Sequence, residues 1–156
     1  MEETRLELRR AEATDAAAIR DLTRSAYAKW VPLIGREPKP MSADYDAAVQ
    51  AHRFDLLLAN GVLAALIETI AEPDHLLVEN VAVSPDFQGR GFGRRLMAHA
   101  EALALAAGYG EIRLYTNQRF AENVALYRKL GYRVDREEDV GVGIAVQMSK
   151  RLQEAG

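Results

Sequence analysis

The segment that decides the fold of this 156-residue chain lies near its middle and reads Val81-Ala82-Val83-Ser84-Pro85-Asp86-Phe87-Gln88-Gly89-Arg90-Gly91-Phe92-Gly93-Arg94-Arg95-Leu96. An apolar strand pattern leads through a short turn and three closely spaced glycines into an amphipathic helix pattern. Glycine lets the backbone approach a ligand closely, and the first N–H groups of a helix have no partner within the helix. We therefore expect an anion site here, suited to a phosphate or pyrophosphate and flanked by arginines.

Two common phosphate-binding loops do not fit these glycines. A P-loop requires Gly-x-x-x-x-Gly-Lys-Ser/Thr, and no lysine or hydroxyl residue stands at the required places. A dinucleotide-binding turn requires Gly-x-Gly-x-x-Gly directly after the first strand, whereas here the spacing is Gly-x-Gly-x-Gly and follows a predicted hairpin. An NAD-dependent oxidoreductase is therefore a distant alternative. When this motif is considered alone, the other alternative is a turn in which the glycines have a structural role only.

Length and composition are typical of an ordinary globular protein, and we expect one domain over residues 1–156. The net charge of −3 argues against general nucleic-acid binding. The chain has no cysteine, which excludes disulfides, thiolate metal sites and a cysteine nucleophile. Its three histidines lack the spacing of metal ligands, so no metal is expected. Because residues 1–5 lack a signal-peptide hydrophobic region, we expect a cytoplasmic protein without membrane association.

The remaining pattern predicts strands and helices of a mixed sheet. Asn60-Gly61 between two apolar runs is a strong hairpin signal, and it favours two strands over a membrane span in this region. The predicted strands cover 6–10, 54–59, 62–71, 76–83, 112–116, 132–136 and 142–150. The predicted helices run from Asp15, as N-cap, to 30, over 42–52, from the glycine turn to 107, and over 122–130. Residues 31–41, which include three prolines, are predicted to form a loop.

Two segments resemble the GNAT N-acetyltransferase superfamily, which binds acetyl-coenzyme A. Gln88-Gly89-Arg90-Gly91-Phe92-Gly93 is similar to the family signature Gln/Arg-x-x-Gly-x-Gly/Ala. About thirty residues later, Asn123-Val124-Ala125-Leu126-Tyr127-Arg128-Lys129-Leu130-Gly131-Tyr132 is similar to the second signature, with a shorter spacing between its members. The resemblance implies a single-domain α/β (α+β) fold with a central mixed, mostly antiparallel sheet of six or seven strands and about four flanking helices.

The resemblance also implies which residues bind the coenzyme. In the family, backbone N–H groups of the glycine turn hold the coenzyme pyrophosphate, which here implies Gln88, Gly89, Arg90, Gly91 and Gly93, with Arg94 in the first helical turn. Backbone groups of Val81 and Val83 are expected to lie along the pantetheine arm. Asn123 is expected to contact the same arm.

Two side chains are candidates for proton transfer. By resemblance, Tyr127 protonates the departing coenzyme thiolate, since a tyrosine hydroxyl is protonated at neutral pH. Glu79 is the candidate general base, because strand alternation places it on the face of Val81 and Val83. Glu68 in the neighbouring strand and a chain of water molecules are alternatives for the base.

The resemblance therefore implies an acetyl-CoA-dependent N-acetyltransferase. An amine of a small molecule or peptide would attack the thioester directly in a ternary complex, and by resemblance residues 31–41 form the acceptor-side wall. The alternative is a non-catalytic acyl-CoA-binding sensor on the same fold. Members of the family often dimerise, which makes a homodimer one expected state, and the sequence does not name the acceptor.

Overall fold

The computed structural model describes residues 4–153, which form a seven-stranded sheet and six helices. The strands are β1 (Leu6–Arg10), β2 (Arg53–Ala59), β3 (Val62–Ala71), β4 (Leu76–Val83), β5 (Glu111–Asn117), β6 (Arg133–Asp139) and β7 (Ile144–Arg151). The helices are α1 (Ala16–Tyr27), α2 (Val31–Ile34), α3 (Lys39–Ser42), α4 (Tyr45–Ala51), α5 (Phe92–Ala106) and α6 (Ala121–Lys129). Within this part of the chain, no helix is both long enough and apolar enough to cross a membrane.

The sheet has the strand order β1-β2-β3-β4-β5-β7-β6. Strands β4 and β5 pair in parallel, whereas β1 with β2, β2 with β3, β5 with β7, and β6 with β7 pair antiparallel. The predicted mixed, mostly antiparallel sheet is confirmed. Residues 4–69 with 80–97 form one compact unit, and residues 70–79 with 98–153 form a second. The expected single domain stays a prediction.

The β2–β3 hairpin turns at Asn60 and Gly61, as the sequence predicts. Both residues have positive φ, of 50° and 80°, which matches the twist of a two-residue hairpin. The side-chain oxygen of Asn60 accepts a hydrogen bond from the Arg5 N–H at 2.8 Å, and the Asn60 N–H donates to the Arg5 carbonyl at 2.8 Å. The turn therefore also fixes the entry to β1.

In the first unit, one face of the sheet is covered by α1 and α4. Its core consists of apolar side chains from β2, β3 and β4 packed with both helices: Ala16, Ile19, Leu22, Ala26, Tyr45, Phe54, Leu56, Leu66 and Ala82. In the second unit, strands β5 and β7 bury Ile112, Leu114, Val146 and Met148. Burial of this apolar surface is the main force that holds each unit together.

Strand β4 alternates strictly between buried and half-buried residues. Leu76, Val78, Asn80 and Ala82 are buried, while Leu77, Glu79, Val81 and Val83 are half-buried. This period of two is the signature of a strand with one covered and one accessible face. The prediction that Glu79 shares a face with Val81 and Val83 is therefore confirmed.

One local prediction was wrong, and a second was right in position only. Residues 31–41 are not an open loop, because they contain α2 and enter α3, with prolines in the first turns of both helices, where a missing N–H costs nothing. Asp15 is the N-cap residue of α1, as predicted, but its side chain makes no capping hydrogen bond to that helix. Its carboxylate accepts from the Glu12 N–H at 2.7 Å and pairs with Arg9.

Strand β6 lies at one edge of the sheet and carries six charged residues among its seven. Val134 is the one apolar residue. The charged side chains pair partly among themselves, as between Arg133 and Asp135 at 2.9 Å.

Candidate functional site

The glycine turn has a backbone shape suited to an anion. Gly89 and Gly91 have positive φ, of 81° and 78°, and Arg90 between them does not. Such an alternation turns successive N–H groups towards one side and makes a concave anion-binding surface. Helix α5 starts at Phe92 directly after the turn, and its first N–H groups add further free donors. This backbone shape is compatible with an anion, and the pyrophosphate cradle stays a prediction.

An aromatic pair brackets this turn. The rings of Phe87 and Phe92 stack with centroids 6.0 Å apart, and the Arg90 guanidinium lies 5.2 Å from the Phe87 centroid. Phe92 is buried, whereas Arg90 and Arg94 are exposed. The stacking and the cation–π contact therefore link residues on both sides of the glycines and restrain the turn.

The Gln88 side chain ties the turn back to β4. Its Nε2 donates to the Val83 carbonyl at 3.2 Å, and its Oε1 accepts from the Lys29 ammonium at 3.4 Å. Lys29 also lies 4.8 Å from the Trp30 ring centroid. Sequence reasoning assigned Gln88 only a backbone role. It missed this link because residues 29 and 88 are far apart along the chain.

The accessible face of β4 presents Glu79, and a tyrosine fixes its carboxylate. The hydroxyl of Tyr115 in β5 donates to Glu79 Oε2 at 2.9 Å. Tyr115 itself is 44% exposed, so solvent reaches the pair. A carboxylate held in one rotamer and open to water on one side is well arranged to accept a proton from a substrate. Sequence patterns did not identify Tyr115 as a partner of Glu79, because only the pairing register of β4 with β5 brings the two residues together.

Glu68, the alternative base, has a different environment. Its side chain is 6% exposed, and one of its oxygens lies 2.6 Å from Nδ1 of His52. His52 stands at the end of α4, one residue before β2. Burial and a close histidine occupy this carboxylate within the first unit, which leaves Glu79 as the more accessible of the two.

Helix α6 carries Asn123 and Tyr127 one turn apart, and both side chains are half-buried. Burial raises the pKa of Tyr127 to about 12. Its ring meets that of Tyr132 edge-on, with centroids 6.1 Å apart. Within residues 4–153, the Tyr127 hydroxyl has no hydrogen-bond partner. The group is therefore a neutral donor that is not committed to another residue.

The segment 31–44 is held against α1 by one arginine that sequence reasoning missed. Both terminal nitrogens of Arg24 bind the Glu37 carboxylate, at 3.2 and 3.1 Å, and Nη1 also donates to the Met41 carbonyl at 2.7 Å. This two-point contact fixes the orientation of the planar guanidinium. Residues 31–41, predicted as the acceptor-side wall, are therefore anchored to α1 through Glu37 and Met41.

Comparison with known proteins identifies the family. The sequence profile of the Acetyltransferase (GNAT) family matches residues 16–132, about three quarters of the chain. The chain belongs to this family. The match includes both the glycine turn and α6, so the two signatures read from the sequence belong to one family pattern.

Curated relatives of this GNAT chain match over about half of it. Mouse N-alpha-acetyltransferase 80 is 41% identical over 71 residues, which is 46% of this chain and 21% of the relative. The ribosomal protein bS18-alanine N-acetyltransferase of Escherichia coli is 34% identical over 76 residues, which is 49% of this chain and 51% of the relative. Streptothricin acetyltransferase of Streptomyces lavendulae is 34% identical over 76 residues, or 47% and 40%. The matched part thus spans about half or less of these relatives.

Solved structures show the same fold over nearly the whole chain. PaiA N-acetyltransferase from Thermoplasma acidophilum, solved in complex with coenzyme A, has a TM-score of 0.79 at 18% identity, covering 95% of this chain and 99% of that chain. The ribosomal-protein-S18-alanine N-acetyltransferase from E. coli has a TM-score of 0.74 at 23% identity, covering 97% of each. These likenesses establish the GNAT fold.

The positive φ of Gly91 predicts a measurable cost of substitution. A Cβ at Gly91 meets no atom within 4 Å, so Gly91→Ala should destabilise through backbone strain alone, by about 1–2 kcal/mol. Gly93 lies in α5 without positive φ, and its Cβ would make an ordinary 3.7 Å contact with Val83. Gly93→Ala should therefore be neutral or stabilising by up to about 1 kcal/mol. Urea unfolding of both variants checks this, and equal losses would contradict it.

The raised pKa of Tyr127 predicts a change in alkaline titration. The native state keeps this proton after the unfolded chain, with a tyrosine pKa of about 10, has lost it. The contribution of Tyr127 to the free energy of unfolding is therefore complete below about pH 10 and declines between about pH 10 and 12. Tyrosinate absorbance at 295 nm should be the same for folded wild type and Tyr127→Phe up to about pH 11. In urea, the absorbance of wild type and Tyr127→Phe should differ by the contribution of one tyrosinate. If the folded proteins at about pH 10 differed as much as the unfolded proteins at that pH, the raised pKa of Tyr127 would be disproved.

Proposed function

We propose that this chain is an acetyl-CoA-dependent N-acetyltransferase that transfers the acetyl group to a primary amine of a small molecule or peptide. The observation that carries the proposal is the anion-binding backbone of the glycine turn, Gly89 to Gly91, within a chain of the GNAT family. A bound coenzyme A in PaiA N-acetyltransferase supports the choice of ligand.

The coenzyme contacts follow from the free backbone groups. The N–H groups of Gln88 to Gly91 and of Gly93 would hold the pyrophosphate, and the exposed Arg94 would add positive charge. The accessible face of β4 at Val81 and Val83 would offer backbone groups to the pantetheine arm. Gln88 donates to the Val83 carbonyl, and the Tyr27 hydroxyl lies 3.4 Å from the Val81 carbonyl. The N–H groups of Val81 and Val83 would therefore be the main partners of that arm.

The reaction proposed is direct attack in a ternary complex. The amine nitrogen forms a C–N bond to the thioester carbonyl carbon, and the C–S bond breaks. The nitrogen loses one proton to Glu79, which passes it to solvent. The sulfur leaves as a thiolate that accepts a hydrogen bond from Tyr127 and is then protonated from solvent. Holding amine and thioester together supplies a large part of the acceleration. Asn123, one turn before Tyr127, would contact the coenzyme arm.

The environment of Tyr127 defines what it can offer the sulfur. With a pKa of about 12, it is neutral throughout the physiological range. A thiol ionises near pKa ~8.5, so complete proton transfer to a free thiolate is unfavourable by more than about a thousandfold. The main contribution of Tyr127 is therefore a hydrogen bond to the charge that develops on sulfur in the transition state.

The relatives point to different acceptors. One is named an N-alpha-acetyltransferase, one is named for an alanine of ribosomal protein bS18, and a third is named for streptothricin. A thiol-release assay with acetyl-CoA should therefore compare an alanine-initiated peptide, a lysine-containing peptide with a blocked N-terminus, spermidine and streptothricin. At least one amine should release free coenzyme thiol and gain an acetyl group by mass spectrometry. Tight coenzyme binding without thiol release from any amine would overturn the proposed acetyltransferase activity and favour the non-catalytic acyl-CoA-binding sensor.

We predict that Tyr127→Phe separates turnover from binding. Loss of the hydroxyl should lower kcat by about 10²–10³-fold, because it removes a donor to the departing sulfur. The dissociation constant of coenzyme A, measured by calorimetry, should change by less than about threefold, since the ring and its packing on Tyr132 remain. Unchanged kcat would overturn the assignment of Tyr127.

We predict that Glu79→Gln acts through the protonation state of the amine. The amide keeps an oxygen that can accept from Tyr115 but cannot take a proton. With a lysine-type amine of pKa ~10.4, kcat at pH 7 should fall by about 10²-fold or more, and it should recover as pH rises. With an α-amine of pKa ~8, the loss should be smaller. If kcat fell in Glu68→Gln and not in Glu79→Gln, the general base would be Glu68.

A further inference from the structure

A buried amide lies in the covered face of β4. Asn80 is 3% exposed and sits between the apolar residues Val78 and Ala82 of that face. Its Oδ1 accepts a hydrogen bond from the Tyr27 hydroxyl at 2.8 Å, and its Nδ2 lies 3.5 Å from the Thr23 hydroxyl. Burying an amide is costly unless its groups are bonded, so an apolar residue here would be the simpler solution for stability. The amide therefore needs a reason beyond packing.

The Tyr27 hydroxyl connects this amide to the strand backbone. Besides its bond to Asn80, it lies 3.4 Å from the carbonyl oxygen of Val81. Tyr27 ends α1, so one helix terminus contacts both a side chain and a main-chain carbonyl of β4. The orientation of the Val81 peptide is thus coupled to the position of α1.

A second tyrosine extends the connection to segment 31–44. Nδ2 of Asn80 lies 3.5 Å from the Tyr45 hydroxyl, and that hydroxyl donates to the Pro40 carbonyl at 2.6 Å. Tyr45 is 3% exposed and packs edge-on against Phe54, which fixes its ring. Asn80 therefore bonds to one group that contacts β4 and to another that contacts the segment around Pro40.

We propose that Asn80, Tyr27 and Tyr45 are positioning residues, which set the Val81 peptide of β4 relative to segment 31–44. This inference rests on the proposed function, in which Val81 lies along the coenzyme arm, and on the prediction that residues 31–41 of this segment border the acceptor. Tyr27 acts through the Val81 carbonyl and hence on the coenzyme. Tyr45 acts through Pro40 and hence on the acceptor, and Asn80 couples the two.

The test removes single hydroxyl groups and keeps the rings. Tyr27→Phe should raise the dissociation constant of acetyl-CoA about five- to tenfold, the range expected for one lost hydrogen bond. Tyr45→Phe should raise KM for the alanine-initiated peptide by a similar factor and leave the acetyl-CoA constant unchanged. Asn80→Ala should do both. Adding Tyr27→Phe to Asn80→Ala should raise the acetyl-CoA dissociation constant by less than the product of the two single effects, because the Tyr27–Asn80 bond is lost in both variants.

The matched control is Tyr109→Phe. The Tyr109 hydroxyl donates to the Glu72 carbonyl at 2.7 Å, outside this network, so its loss measures the effect of a tyrosine–carbonyl bond on stability alone. Its Tm should fall about as far as that of Tyr27→Phe, with binding and KM unchanged. If Tyr27→Phe and Tyr45→Phe also changed only Tm, the network would be purely structural and the proposal overturned. Failure of the wild type to bind acetyl-CoA would overturn the proposed function as well, whereas wild-type constants in both tyrosine variants would overturn this inference alone.

Discussion

The strict alternation of β4 is the constraint on which the candidate site depends. Each residue of a strand must point opposite to its neighbour, so burying Val78, Asn80 and Ala82 commits Glu79 and Val81 to the accessible face. The strand then runs directly into the glycine turn, and Gln88 binds back to its last carbonyl. Covering one face therefore determines at once which backbone groups and which carboxylate are left for a ligand.

The two proton-transferring candidates differ in the way their surroundings prepare them. Glu79 receives a hydrogen bond from a partly exposed tyrosine, so it is oriented and still in contact with water. Tyr127 is instead half-buried, with no polar partner among residues 4–153 to favour its ionised form, and this burial raises its pKa to about 12 and keeps it neutral. Glu79 is suited to accept a proton, and Tyr127 is suited to donate a hydrogen bond. This separation of environments is how a protein obtains acid and base behaviour at the same pH.

Sequence patterns predicted the parts of the fold that local chemistry controls. The hairpin at Asn60-Gly61 and the bounds of β4 followed from turn residues and alternation. The interior of segment 31–44 did not, because prolines indicate a break in regular structure but also suit the first turn of a helix. Its anchoring by Arg24 depends on a residue that is remote in sequence. Such contacts arise only after the chain has folded, so spacing carries no signal for them.

The same limit explains what was missed around the candidate site. The glycine spacing identified the turn, but not the stacking of Phe87 on Phe92 that restrains it. The apolar pattern identified β4, but not the partners of its buried Asn80, which come from α1 and α4. Periodicity can tell that a side chain is buried. It cannot tell which other buried polar group will satisfy it.

The charged edge strand β6 affects how readily two copies of the protein could pair edge to edge at high concentration. An unpaired edge strand offers free N–H and C=O groups to any passing strand, and flat apolar edges assemble into aggregates in this way. Strand β6 carries a charge at every position except Val134, so a second copy docking there would have to desolvate a row of mixed charges. These charges therefore disfavour sheet-to-sheet growth through β6.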